Sequence, residues 1–207
     1  VQQVQSADGR ALMHVLSGLT RLRRLCCSPQ LVMSEWSQTS SKLDEAMAVG
    51  LAGLRSLGIE LKARPGVPTL IAEFLRTRAA IGKRSPEDLL HLPDLRDEGV
   101  RQQLKLLYSI SGAAYQVDFT LMIQIALRTT RMSLTHGNSP LAAAEYISYG
   151  LMLGPITGDR RRMDAYGRVA LTLLARQPDR GVESLVRFLY GSLIQAALHP
   201  LRDTFAT

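Results

Sequence analysis

The sequence predicts an all-α fold of stacked antiparallel helix hairpins, and three observations carry that expectation. Apolar residues make up 46% of the 207-residue chain but aromatics only 5%, so Leu and Ala must supply the packing, which suits helix against helix better than facing sheets. Apolar positions recur at three- and four-residue steps, and no stretch keeps the period-two alternation of a half-buried strand. Residues 134–159 write a helix stop, a helix start and a close-packing face in one line. Gly137 suits the left-handed end of one helix, Asn138 or Ser139 caps the next, and Pro140 fits a first helical position, where its missing N–H costs nothing. Behind that start Ala143, Tyr146, Gly150 and Gly154 share a face on which the glycines admit a neighbouring backbone.

Helices are predicted, in chain order, over residues 9–27, 41–57, 69–81, 86–91, 98–111, 118–135, 140–153, 160–175 and 179–198. Breaks are expected at Pro29, across 58–68, and at Pro93, Gly137, Pro155 and Pro178. In the first helix Leu12, Leu16, Leu19, Leu22 and Leu25 form one apolar stripe, ended by Pro29, and Ser40 or Ser41 caps the second. Asp118 opens its helix as a cap, and His136 closes it beside Gly137, where a cation or donor is favoured. No internal repeat is exact, so any repeat units are degenerate.

The phrase HGNSP followed by the run Tyr146-x-x-Tyr149-Gly150-x-x-x-Gly154-x-x-x-Gly158-Asp159 resembles a known family. It is similar to the tetratricopeptide-like region that follows the ATPase module in very large bacterial signalling proteins. Those predicted-ATPase chains often begin with a serine/threonine kinase domain and can end in sensor, histidine-kinase or cyclase domains. Further matching phrases are AMAVGLAGLRSLGIEL from Ala46, RSPEDLLHLPDL from Arg84, the run beginning at Tyr108, AYGRVALTLL and the terminal HPLRDTF, so the resemblance covers residues 46–205. It implies a degenerate tetratricopeptide-like superhelix. One unit would carry small residues at Ala46, Gly50, Gly53 and Gly58, with Leu54 and Leu57 for packing. A later one would use Tyr146, Gly150 and Leu153, then Tyr166, Ala170 and Pro178, with a slipped register around Gly158 and Asp159.

Residues 10–47 resemble a second family, the Swi/Snf-type helicase-like ATPases. There a helix reading L-x-x-L-x-R-L-R-x-x-C-x-x-P-x-L leads into the second motor lobe, matched here by Leu16, Leu19, Arg21, Leu22, Arg23, Cys27, Pro29 and Leu31. An S-x-K-L helix start comes next in that family, matched in part by Ser41, Lys42 and Leu43. The match stops at Met47, and the chain holds no GxxxxGK[ST] loop and no strand-flanked Asp-Glu pair, so ATP hydrolysis by this chain alone is excluded. The organisation expected is therefore residues 1–45 as an N-terminal helical segment and 46–207 as the repeat region.

The charge of +7 lies partly in clusters: Arg21, Arg23 and Arg24; Lys83 and Arg84; and Arg160, Arg161 and Arg162. The first is a candidate phosphate contact, which would give salt-dependent binding of nucleic acid, although no aromatic stacking platform accompanies it. The last is read as a solvated turn entering a helix. Trp36 stands in the polar stretch SEWSQTSS and either packs the N-terminal helix or anchors a partner. With it, Tyr146, Tyr149 and Tyr166 are the candidate partner surface. Glu145 is read as a buried hydrogen-bonding or edge residue and not an acid–base catalyst.

No catalytic residue, cofactor site or metal site is predicted. Adjacent Cys26 and Cys27 are badly placed for a mutual disulfide, and His14, His91, His136 and His199 are scattered. Arg128 and Arg131 interrupt the most apolar stretch, and the first residues lack a signal-peptide core, so a cytoplasmic protein is expected. The function expected is a non-catalytic helical scaffold or regulatory segment engaging a protein partner or neighbouring ATPase or kinase domains. The alternative is a fragment of a Swi/Snf-type DNA-dependent ATPase that touches nucleic acid through its basic N-terminal helix. A third reading is a fusion of unrelated pieces with no function evolved for the whole.

Overall fold

The computed structural model describes residues 36–198, with side chains from residue 43 onward. Among the described residues every regular element is helical: α1 Trp36–Ser56, α2 Val67–Ile81, a 3-10 turn Glu87–His91, α3 Glu98–Val117, α4 Phe119–His136, α5 Ala142–Thr157, α6 Arg160–Arg176 and α7 Arg180–Leu189. The last continues into a π-helical stretch, Tyr190–Gln195, and a short turn, Ala196–Leu198. The only sheet-like contact among these residues is an isolated bridge between Asp94 and Asn138. The all-α expectation holds. The predicted helix over 9–27, the break at Pro29, Cys26, Cys27 and the arginines Arg21, Arg23 and Arg24 lie outside the described residues.

The described residues divide into two compact units, one of residues 36–75 with Gln102–Ile125, the other of Arg76–Arg101 with residues 126–198. The boundary expected at residue 45 falls inside α1, which runs unbroken from Trp36. Trp36 therefore lies in a helix and not in a polar linker.

In the first unit, α1 turns Met47, Gly50, Leu51 and Leu54 inward at helical spacing. Gly50 faces Ile110 of α3 so closely that a Cβ would stand 2.5 Å from the Ile110 side chain, which explains the small residue there. The helix ends at Gly58, whose φ of +77° is the left-handed conformation that only glycine adopts freely. The Ile59 N–H then reaches back to the Leu54 carbonyl at 2.8 Å and buries the Ile59 side chain against the helix end, the Schellman arrangement. The Gln103 amide of α3 donates to the Leu57 carbonyl at 2.7 Å, satisfying another terminal acceptor.

Helix α3 continues six residues beyond the predicted end at Ser111. Gly112 keeps negative φ, and the two alanines after it are strong helix formers, so nothing stops the chain before Asp118. That aspartate alone joins α3 to α4. Its carboxylate accepts from the Thr120 N–H at 2.8 Å, the predicted cap.

In the second unit α5 is the central element, buried on nearly every side from Ala142 to Ile156. Helix α6 lies against its glycine face: a methyl at Gly150 would stand 2.6 Å from Tyr166 Cβ, and one at Gly154 2.6 Å from Met163 Sδ. The predicted close-packing stripe is thus present. Pro155 does not break α5 as expected. It sits in the last turn, where it forfeits one backbone bond and its fixed φ still fits, and Gly158, with φ +73°, ends the helix instead. Asp159 then caps α6 by accepting from the Arg162 N–H at 2.9 Å. Arg160, Arg161 and Arg162 form the exposed first turn of α6, in agreement with the solvated reading. Asp179 caps α7 through the Gly181 and Val182 N–H groups at 2.8 and 3.2 Å.

Beyond Leu189 the expected single helix widens into the π-helical stretch. Residues four apart drift round an α-helix by about 40° per step, and the wider turn counters that drift. Val182, Val186 and Ile194 stay buried, and the Tyr190 ring and Ile194 together cover Gly167.

Candidate functional site

The polar chemistry of the second unit gathers where α4 turns into α5. Gly137 leaves α4 with φ +105°, and a side chain there would overlap the Pro93 carbonyl. The space glycine leaves lets an extended strand of chain run past: the Asn138 N–H donates to the Pro93 carbonyl at 2.7 Å and the Leu95 N–H to the Asn138 carbonyl at 2.8 Å. The Asn138 side chain completes the brace. Its amide donates to the Leu89 carbonyl at 2.8 Å, and its oxygen accepts from the Tyr146 hydroxyl at 2.7 Å. Asn138 is therefore no helix cap, and α5 begins only at Ala142, with the Leu141 N–H held by the Ser139 hydroxyl at 3.1 Å. Two further ties fasten the same segment: Arg176 donates to the Leu90 carbonyl at 2.8 Å, and the Gln177 amide to the Asp94 carboxylate at 2.9 Å.

One turn into α5, Glu145 is buried and accepts a short hydrogen bond from the Ser133 hydroxyl of α4. Its other oxygen, Oε1, is buried without a hydrogen-bond partner. Burial pushes the carboxyl up to about 8, opposed by the Ser133 bond. The expected buried hydrogen bond at Glu145 is present. The Thr130 hydroxyl, 2.8 Å from the Ala126 carbonyl and 3.2 Å from that of Glu145, adds a second polar link between α4 and α5.

The three tyrosines expected on a partner surface are interior residues, and that expectation is corrected. Tyr146 and Tyr166 are fully buried and Tyr149 nearly so, because the glycine face of α5 draws α6 in until the rings are enclosed. Tyr149 and Tyr166 meet edge to face, with centroids 5.2 Å apart. Burial raises all three phenols, and in Tyr146 the neighbouring Glu145 adds to the effect. The Tyr166 hydroxyl is buried and makes no well-formed hydrogen bond, while the Arg162 side chain approaches it and opposes the rise by charge and by hydrogen bonding. The signal that could have pointed to this burial was the glycine spacing of α5, which brings Tyr166 of α6 against Gly150.

The large apolar side chains that are exposed lie elsewhere. On α7 and its π-helical continuation Leu185, Phe188 and Leu193 face solvent, Phe188 at 61% exposure, while Val182, Val186 and Ile194 face the core. Val49 and Tyr115 are exposed in the first unit. Among the described residues no group of three or more His, Cys, Asp or Glu is placed to hold a metal ion. No helix among them is long and apolar enough to cross a membrane. Compared with protein-family models, curated proteins and solved structures, the chain matches none.

Proposed function

We propose that this chain is a non-catalytic helical scaffold that engages a protein partner or neighbouring ATPase and kinase modules, in the manner of the tetratricopeptide-like region it resembles. The observation that carries the reading is the second apolar face of α7. A helix whose inner row, Val182 and Val186, is already buried and whose outer row, Leu185, Phe188 and Leu193, is bare is built like an internal member of a stack and unlike a polar capping helix. The partner this face suits is an amphipathic helix contributing its own apolar stripe. The side chains with richer chemistry, Asn138, Glu145 and the three tyrosines, are buried within the second unit, which fits a structural use of them.

A photo-crosslinking residue placed at position 188 tests this. A discrete adduct that Leu185→Asp removes, without loss of helicity, is the expected result. No adduct from position 188, beside an adduct from the exposed position 49, moves the interaction to the other unit. The nucleic-acid reading is tested separately with duplex DNA over a salt series. Binding that weakens with salt and vanishes when Arg21, Arg23 and Arg24 become alanine replaces the scaffold by the motor fragment.

A further inference from the structure

We infer that Glu145 is a proton-coupled latch of the α4–α5 hairpin, carried as a neutral carboxylic acid while the hairpin is closed and surrendering its proton to solvent when the hairpin opens. The side chain is buried, its Oε2 takes the Ser133 hydroxyl of α4, and its Oε1 meets no donor. A carboxylate in that place would lose water on both oxygens and regain one hydrogen bond, so the neutral form is the one the closed hairpin accommodates.

Among the described residues no cation offsets this. The charged and titratable groups of α4 are Arg128, Arg131 and His136, those of α6 are Arg160, Arg161, Arg162, Asp164, Tyr166, Arg168 and Arg176, and Tyr146 and Tyr149 neighbour Glu145 on α5. Asp164 is paired with Arg168 at 2.8 Å. The Arg162 charge acts on Tyr149 and Tyr166 and that of Arg84 on Tyr146, whereas Glu145 is governed by burial and by Ser133. The carboxyl sits at the hinge of the hairpin, seven residues after Asn138, where the chain has only Gly137–Leu141 to connect two long helices. Opening there exposes the carboxyl without unravelling either helix. The latch needs only this geometry and stands whether or not the scaffold reading does.

Linkage sets the sign. The closed hairpin holds one proton more than the open one between the ordinary carboxyl value of 4.5 and about 8, so opening becomes tenfold easier for each pH unit within that window and no easier above it. Amide hydrogen exchange of the whole chain reads this directly. Intrinsic exchange already rises tenfold per pH unit, so amides freed by hairpin opening, such as those of Asn138 and Leu95, whose bonds tie the connecting segment to residues 93–95, should accelerate about a hundredfold per unit between pH 5.5 and 7.5. Amides of α7 should keep the ordinary tenfold. In Glu145→Gln, which keeps the shape and the Ser133 bond, the hairpin amides should return to tenfold. Infrared absorption supplies the second readout: a buried carboxylic-acid band present at pH 7, lost above pH 9 and missing in Glu145→Gln. Absence of that band at pH 7, or hairpin amides that keep to the tenfold rule in the unsubstituted chain, overturns the latch. If Glu145→Gln fails to fold, Ser133→Ala, which removes the one bond favouring the anion, must raise the pH at which the band disappears, and a lower pH overturns the inference.

Discussion

The Tyr146 hydroxyl donates to the Asn138 side-chain oxygen at 2.7 Å, and through that bond a helix interior fixes the path of a loop. Asn138 passes the constraint on to Leu89, 49 residues earlier in the chain, so one amide joins α5, the hairpin and the 3-10 turn. Removing the hydroxyl with Tyr146→Phe leaves the Asn138 oxygen buried and unpaired. The expected loss is about 1–3 kcal/mol in urea unfolding. Tyr166→Phe is the contrast: its hydroxyl makes no well-formed hydrogen bond and has only the approach of Arg162 to lose, so the loss should be smaller. Equal losses in the two variants would mean that ring packing alone, and not the bond, holds the loop.

Gly137 combines a φ of +105° with a neighbour that cannot retreat, since the obstructing atom is the backbone carbonyl of Pro93. Gly137→Ala should cost roughly 2–5 kcal/mol, from the strained conformation and the overlap together. Thermal unfolding of the variant would show it, and a melting temperature unchanged within a degree would contradict the close approach.

Helical glycines divide by what surrounds them. Gly150→Ala gains about 1 kcal/mol of helix propensity but drives a methyl to 2.6 Å from Tyr166 Cβ, where overpacking costs ~1–3 kcal/mol, so the net effect should be destabilising. Gly112 has nothing within 4 Å of an added Cβ, and Gly112→Ala should stabilise by about 0.5–1 kcal/mol. Denaturant midpoints of opposite sign are the expected result.

Global stability should carry the Glu145 signature as well. The folded chain holds an extra proton from pH 4.5 to about 8, so this residue's contribution to stability falls as pH rises through that window, by up to about 1.4 kcal/mol per unit, and is level beyond it. Glu145→Gln should remove that slope and be the more stable form at pH 8. Parallel stability profiles for the two proteins would show that the carboxyl is hydrated in the fold.

Local rules made the helices legible. Asp118, Asp159 and Asp179 each stand at a start because a carboxylate accepts free N–H groups wherever the chain sits. The glycine stripe of α5 likewise announced its close neighbour, since only a missing Cβ permits such an approach. The features that escaped depended on distant partners. Asn138 reads as a cap in its own neighbourhood, and only a carbonyl 49 residues away makes it a brace. The tyrosines look like surface anchors until α6 is in place. Pro155 and Ser111 misled because a helix end is decided by residues further along the chain, Gly158 in one case and Asp118 in the other.

The π-helical stretch Tyr190–Gln195 amounts to a helix holding a surplus residue. Rewinding the stretch as an ordinary α-helix without losing a residue would rotate everything after it by up to about 100°. Ile194 would then swing away from Gly167, and any chain carried beyond Leu198 would leave in a new direction. The bulge works as a vernier in the backbone, setting the bearing of downstream sequence without altering the core that precedes it.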